Sequence, residues 1–409
     1  MFRVGPVPNI PFFPVMMKVA IVHEWMIDYK GSERVVEQML HCYPQADLFA
    51  TVEFLPPEER FFLGGRTVRT SFIQRLPGAR RRYQKYLPLM PLAVEQHDLS
   101  AYDLVISSSH AVAKGVLTGP DQLHLCYCYS PIRYAWDLQH QYLHESGLDR
   151  GLKGVLVGWL ARWLLHRIRI WDVRTAQGVD AFAGISHYIA RRIRKVYRRE
   201  AVVIYPPVDV ERFTPQGAKE DFYLCASRMT PYKRVDMVVE AFAGMPERRL
   251  VVIGDGPGWE KARAAARGAA NIELLGFRDS DVLRDHMRRA RAFVFAAEED
   301  FGIAPLEAQA CGTPVIAFGR GGALETVRGL DHKEPTGVFF SQQTPEALRE
   351  AVELFEGSQD RITVQACRAN AERFGVENFR SGFTGFVEKA WKNHLAQGAN
   401  PQPASGEAE

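Results

Sequence analysis

In the segment Glu299-Asp300-Phe301-Gly302-Ile303-Ala304-Pro305-Leu306-Glu307, two carboxylates stand eight positions apart. The preceding apolar run, Ala292-Phe293-Val294-Phe295, reads as a buried strand. Pro305 suits the first position of a helix, and Gly312 ends that helix before the next apolar run at 314–318. The spacing predicts Glu299 at a strand exit and Glu307 in the first helical turn, both facing one crevice. Between them lie the amides of Phe301, Gly302 and Ile303. A helix start leaves such N–H groups unpaired and carries positive potential, so they can meet an anion. Amides for phosphate and carboxylates for hydroxyls together suit a nucleotide sugar. Taken alone, the pair fits equally well an ordinary loop-to-helix entry whose acids complement the helix dipole.

Arg228 and Lys233 flank a second turn, directly after the strand-like run Asp221-Phe222-Tyr223-Leu224-Cys225-Ala226. A planar guanidinium fork beside a compact ammonium suits a diphosphate whose charge grows as it departs. Alone, these would be a solvated basic turn. A third strand-like run, 250–253, ends in Gly254-Asp255-Gly256-Pro257, where glycines let backbone come close to something. That turn falls short of a dinucleotide fingerprint.

These segments, with Gly321-Gly322-Ala323-Leu324-Glu325 downstream, resemble the retaining glycosyltransferases of the GT-B fold. More narrowly they resemble the mannosyltransferases that extend bacterial surface polysaccharides. Support in the first half comes from His23-Glu24-Trp25 leading to Gly31-Ser32-Glu33-Arg34, from Ser107-Ser108-Ser109-His110, and from Ser130-Pro131-Ile132-Arg133-Tyr134-Ala135-Trp136-Asp137. The resemblance extends over roughly residues 17 to 390. It implies catalytic roles for Glu299, Arg228, Lys233 and Tyr129. It implies donor contacts for Glu307, Asp300, Phe301, Gly302, Ile303, Gly254, Gly256, Gly31 and Ser32. His110, Arg133, Tyr134 and Asp137 fall in the acceptor or sugar region.

One departure stands out: relatives commonly carry histidine immediately before the Ser-Pro pair, and this chain has Tyr129, whose phenol still donates a hydrogen bond but titrates far above imidazole. No carboxylate is marked as a covalent nucleophile, so the inferred chemistry is a same-face displacement aided by the departing diphosphate. No cofactor and no metal are expected, and no Asp-x-Asp occurs at the site. The implied donor is GDP-mannose and the implied acceptor a lipid-linked or glycan chain. UDP-glucose or another nucleotide sugar remains open, as does a nucleotide-sugar-binding protein with little catalysis.

The elements that must position these residues alternate strand and helix twice over, the pattern of parallel sheets covered on both faces. The expected fold class is therefore α/β: two Rossmann-like, doubly wound domains facing across a cleft, with ligand at the carboxyl ends of the strands. A chain of 409 residues, 46% hydrophobic, exceeds what one core usually supports. The divisions expected are a flexible extension over 1–16, an acceptor-binding domain over 17–205 plus 378–395, a donor-binding domain over 206–377, and a disordered tail over 396–409. Tyr205-Pro206-Pro207 is the linker. The helical spacing of Phe379, Phe383, Phe386, Val387, Ala390 and Trp391 marks a last helix that crosses back to the first domain.

A formal charge of +3 is too small to argue for nucleic acid, and no nucleic-acid partner is expected. Six scattered cysteines fit core packing in a reducing, cytoplasmic setting better than metal or redox chemistry. The stretch 151–171 mixes tryptophan, leucine and arginine without a spanning apolar run, and Arg80-Arg81-Arg82 with Arg75, Tyr83, Lys85 and Tyr86 forms a second cationic, aromatic patch. Both admit peripheral contact with an anionic membrane at the inner face of the cytoplasmic membrane, with Trp159, Trp163 and Trp171 at the boundary. Both equally admit core helices with solvated basic faces.

Overall fold

The computed structural model describes residues 17–140, 143 and 151–398. The extension over 1–16 and the segment 399–409 lie outside the described residues. Seven strands form the first sheet: β1 (Val19–His23), β2 (Asp47–Ala50), β3 (Val68–Thr70), β4 (Leu104–Ser109), β5 (Leu123–Cys128), β6 (Ala181–Gly184) and β7 (Ala201–Val203). Their order is β3-β2-β1-β4-β5-β6-β7, parallel throughout. Six more form the second: β8 (Tyr223–Ala226), β9 (Leu250–Ile253), β10 (Ile272–Gly276), β11 (Ala292–Phe295), β12 (Val315–Phe318) and β13 (Gly337–Phe340). Their order is β10-β9-β8-β11-β12-β13. Both sheets thus reverse strand order beside their first strand, between β1 and β4 and between β8 and β11. At that switch point neighbouring loops diverge and leave a crevice. Central strands such as β4, β5, β8 and β11 are buried at every residue; β8 and β11 accordingly read as apolar runs, while β4 and β5 bury Ser107, Ser108, Ser109 and His124 as well.

The paired prolines sit at a packed crossing. Tyr205 lies 5.7 Å from the Phe301 ring in a stacked arrangement and 5.0 Å from Phe374 edge-on, and Val208 bridges to Gly375. Beyond it the last helix, Val376–Gly398, returns to the first domain. It starts a turn before the aromatic repeat and runs through 396–398, residues the sequence pattern assigns to the tail. Phe383 is fully buried, stacked at 5.6 Å on Phe379 and flanked by Tyr43 and Tyr127 at 6.2 and 6.3 Å. Arg380 donates to Gln38 Oε1 at 2.6 Å, tying that helix to Gly31–Cys42.

All six cysteines are free, and all but Cys42 are buried. Of the tryptophans expected at a boundary, Trp159 and Trp163 are exposed, at 64% and 47%. Trp171 is not. Its indole donates to Glu95 at 2.7 Å, packs against the buried cluster around Met90 and Val112, and lies beside Lys114 and Gly115, on the side of helix Gly151–Ala176 turned toward Ala113–Gly115.

Phe383→Ala should cost about 3–5 kcal/mol, the range for emptying a buried aromatic site, because its ring is what the returning helix stacks on the first domain. Thermal unfolding of the variant measures this. A melting temperature equal to that of the parent would show that the helix is held by other contacts.

Candidate functional site

The turn after β8 carries Arg228 and Lys233, and its shape depends on the glycines after β9. Gly254 and Gly256 hold φ of 137° and 143°, and a Cβ on Gly254 would stand 1.9 Å from the Ser227 carbonyl oxygen. The Met229 amide donates to Asp255 O at 2.8 Å and the Gly258 amide to Met229 O at 2.7 Å. Gly254 and Gly256 therefore buttress the basic turn from behind. Neither is among the residues that line the two cavities between the domains.

The loop after β11 is built the same way. Gly302 caps helix Ile303–Ala310 at φ 94°. Behind it, the Gly322 amide donates to Glu299 O at 2.7 Å, and a Cβ on Gly322 would lie 2.3 Å from Phe301 Cα. Pro305 is the third helical residue, where its missing N–H is still free of cost, and Glu307 is the fifth, one turn deeper than expected.

A cavity of about 370 Å³ opens between the two domains. Arg228, Lys233, Glu299, Asp300 and Phe301 to Ile303 line it from the second domain, and Gly31, Ser32, Tyr129 and Arg133 from the first. Arg228 is exposed and has no ion pair with any described residue. Lys233 contacts Glu299. Burial, reinforced by the nearby Arg133 charge, pushes its ammonium down from 10.5 to about 8.

Two acids have partners the sequence does not announce. Asp300 pairs with Arg133 at 3.2 Å and Arg192 at 2.9 Å. Arg192 also pairs with Asp137 at 2.8 Å, so Asp137 acts through that arginine and stands exposed at the mouth of the cleft. Glu307 is buried and pairs with Arg34 at 3.0 Å; burial raises its pKa while Arg34 opposes the rise. Glu325 accepts from the His187 and Tyr188 amides at 2.8 and 2.9 Å, so a carboxylate of one domain caps a helix of the other.

In the first domain Glu24 is fully buried and accepts from the amides of His110, Ala111, Val112 and Ala113 and from Ser109 Oγ. Burial opposes its ionisation, but His110 and these amides hold it below the usual carboxylate range. His110 packs edge-on to Trp25, and burial lowers its pKa; it is 6.1 Å from the Tyr129 ring and does not line the cavity. Tyr134 lies against Ile132, Ala135 and Ile168, also away from the cavity. Tyr129 lines it, yet its hydroxyl donates to Ser32 O at 3.2 Å and lies 2.9 Å from Ser108 Oγ.

Sequence reasoning gave no site role to Arg192, Arg34, Ser186 or Glu325, although Arg34 and Glu325 fall within segments that carry the resemblance. Ser186 had a local signal of its own, a serine before a helical run. It caps helix His187–Tyr197, accepting from the Ile189 amide, and its hydroxyl donates to Asp300 O at 2.6 Å. Among the described residues no cluster of three or more His, Cys, Asp or Glu side chains could hold a metal ion.

Residues 210–374 match the sequence profile of the family Glycosyl transferases group 1. The chain is 31% identical over 225 residues to the GDP-mannose-dependent monoacylated alpha-(1-6)-phosphatidylinositol monomannoside mannosyltransferase of Corynebacterium glutamicum, covering 47% of this chain and 58% of that protein. It is 37% identical over 208 residues to the D-inositol 3-phosphate glycosyltransferase of Geodermatophilus obscurus, covering 44% and 45%. The chain spans about half the length of the curated relatives it matches. In overall fold it is similar to Anabaena HepE solved in complex with UDP, with a TM-score of 0.65 at 15% identity over 91% of this chain and 100% of that one. It is likewise similar to sucrose-phosphate synthase of Thermosynechococcus elongatus, with a TM-score of 0.67 at 16% identity over 92% and 100%. The fold is GT-B.

Gly322→Ala should lower the melting temperature by several degrees, since its methyl group has to displace the Phe301 backbone, a cost of about 1–3 kcal/mol. Gly385→Ala, with nothing within 4 Å of the new Cβ, is the control and should be neutral or mildly stabilising. Equal melting temperatures for the two variants would mean that the loop carrying Glu299 is not seated on Gly322.

Proposed function

We propose that this chain is a retaining glycosyltransferase that moves a mannosyl group from GDP-mannose to a lipid-linked or polysaccharide acceptor. The observation that carries this reading is the convergence of Arg228, Lys233, Glu299 and the amides at 301–303 in one cavity against Gly31 and Ser32. The profile match over 210–374 and the names of the partial relatives support the sugar-transfer class and the choice of GDP-mannose. In this reading the second domain binds the donor, and the acceptor enters the cleft between it and the first domain.

The chemistry breaks the bond between the anomeric carbon and the diphosphate oxygen and forms one from the same face to the acceptor oxygen. The acceptor proton passes to the departing diphosphate. Charge grows on that diphosphate in the transition state, so the fixed donors nearest it contribute most: Arg228, Lys233 and the 301–303 amides. Glu299, beside Lys233, orients the sugar hydroxyls. Glu307 is proposed to meet the ribose, sharing its carboxylate with Arg34.

The proposal includes peripheral attachment at the inner face of the cytoplasmic membrane. No described helix is long and apolar enough to cross a membrane. Leu87, five residues after the exposed Arg82, packs both against the cluster around Ile168 on helix Gly151–Ala176 and against the cluster around Met90. Exposed Trp159, Leu160 and Trp163 with the exposed Arg162 and Arg167 are the apolar and cationic groups that helix would offer an anionic bilayer.

Arg228→Ala should lower turnover by about two to three orders of magnitude, measured as GDP released from GDP-mannose with a membrane extract. The same assay in EDTA should run at full rate. Because Lys233 is useful only while protonated and loses its proton as pH rises through about 8, kcat/KM should fall above that pH. Lys233→Arg should remove this high-pH limb. A limb that persists in Lys233→Arg assigns the titration elsewhere. Donor binding without turnover across GDP-, UDP- and ADP-sugars would leave a binding protein as the better reading.

Vesicles test the attachment. The parent chain should sediment with phosphatidylglycerol-rich vesicles and not with phosphatidylcholine alone, and Trp159→Ser with Trp163→Ser should weaken this at least tenfold. Undiminished sedimentation of the double variant would contradict the assignment of that face.

A further inference from the structure

A second cavity, of about 590 Å³, shares Arg133 with the first and also spans the two domains. It is lined by Met229 to Tyr232 and Arg234 to Asp236 in and after the turn that follows β8, and by Pro257, Gly258 and Lys261 after β9. With right-handed crossovers, the helices following β8 and β9 cover one face of the second sheet, and helix Ile303–Ala310, following β11, covers the other. The packing agrees: helix Val235–Ala243 contacts Trp259–Ala266, whereas Ile303–Ala310 contacts Ser280–Arg289. The second cavity therefore lies on the opposite side of the cleft from Glu307 and from the nucleotide half of a donor placed there.

Some of its polar groups pair with one another and others do not. Glu298 accepts from the Tyr188 hydroxyl at 3.0 Å and Asp137 is taken by Arg192. Arg234 makes one long contact, 3.4 Å to Gln343 O, and neither it nor Lys261 pairs with a carboxylate among the described residues. Thr230 Oγ1 and Arg133 Nε are buried without a hydrogen-bond partner, a costly state for polar atoms. Arg234 also holds φ at 54°, where asparagine or glycine sits with less strain. Two unpaired cations, an orphaned hydroxyl and an orphaned guanidinium N–H around one concavity are the recognition chemistry of a phosphate. The remaining carboxylate, Asp236, suits a hydroxyl.

We propose that this cavity binds a phosphorylated sugar or polyol, with its phosphate on Arg234, Lys261, Arg133 and Thr230, and that it is the acceptor subsite. Its role as an acceptor site rests on the glycosyltransferase reading; the phosphate site does not.

The test is calorimetric titration of the full chain with mannose 6-phosphate and with mannose, in saturating GDP. Mannose 6-phosphate should bind beside GDP at least tenfold more tightly than mannose. Arg234→Asn with Lys261→Ala should weaken it at least tenfold while the GDP affinity stays within twofold of the parent; asparagine is chosen because it tolerates the left-handed backbone. Displacement by GDP, full binding in the double variant, or no binding at all overturns the site. GDP binding with no sugar-phosphate binding would sink this inference alone, and sugar-phosphate binding with no binding of GDP, UDP or ADP would sink the glycosyltransferase reading alone. A short-chain polyprenyl phosphate in detergent micelles separates the sources: competition with mannose 6-phosphate supports the site with a lipid-linked ligand, and its absence supports the site with a soluble one.

Discussion

The carboxylate of Asp300, gripped by Arg133 and Arg192 from the opposite domain, is the contact on which the geometry of the cleft depends. Asp300 sits between Glu299 and Phe301, so fixing it fixes the loop that presents one acid and the start of the amide-bearing helix. Arg192 is only 10% exposed, and removing a buried charge's partner typically costs 3–5 kcal/mol. Arg34 with Glu307, and Glu325 on the helix start at His187, repeat the arrangement at two further points. Three carboxylates of the second domain are thus committed to groups of the first. Bringing the domains together and completing the cavity are consequently one event, and a cleft opened by hinge motion would lose the pairing that holds the Glu299 loop in register.

Behind that latch, the second domain stacks one loop on another through glycines. Gly254 and Gly256 let the turn after β9 press against the backbone of Ser227 and Met229, and Gly322 lets the turn after β12 press against Phe301. At Gly254 and Gly322 a Cβ would stand 1.9 and 2.3 Å from backbone atoms, distances no packing accommodates, and at Gly256 a tight 3.1 Å contact adds to the strain of a positive φ. The positions of Arg228 and Glu299 follow from main-chain contact, which is stiffer than side-chain packing and suits groups that must act as fixed donors and acceptors.

Much of this was legible in the sequence because it rests on local signals. Buried parallel strands read as apolar runs, Gly302 and Gly312 bracket their helix, and Arg228 and Lys233 fall on one short turn, so the fold and the convergence around Glu299 could be anticipated. Two kinds of feature could not. Gly254 and Gly256 have the composition of a ligand loop, and only their three-dimensional neighbours distinguish contact with ligand from contact with the next turn. The partners of Asp300, Glu307 and Glu325 lie more than a hundred residues away in sequence. No spacing rule reaches that far, and Arg192 sits in a basic helix where any of several arginines could have been the one turned inward.

Tyr129 shows what the same limit does to a chemical role. The sequence places a phenol where relatives carry imidazole and invites the reading that it donates to the sugar. Its hydroxyl instead faces Ser32 O at 3.2 Å and Ser108 Oγ at 2.9 Å, and Ser108 Oγ in turn lies 3.0 Å from His23 Nδ1, whose far nitrogen faces Glu33 at 3.4 Å. A phenol carries one proton, and these neighbours inside the first domain are the acceptors it meets. Burial also raises its pKa well above the ordinary value, so it stays protonated. What the chain of groups does hold is the carbonyl of Ser32 and with it the Gly31-Ser32 turn, where a Cβ on Gly31 would already stand 3.3 Å from Ile303. The tyrosine that replaces the usual histidine therefore acts on the first domain's edge of the cavity by fixing its backbone, and a sugar bound there would meet the Gly31-Ser32 turn that Tyr129 positions.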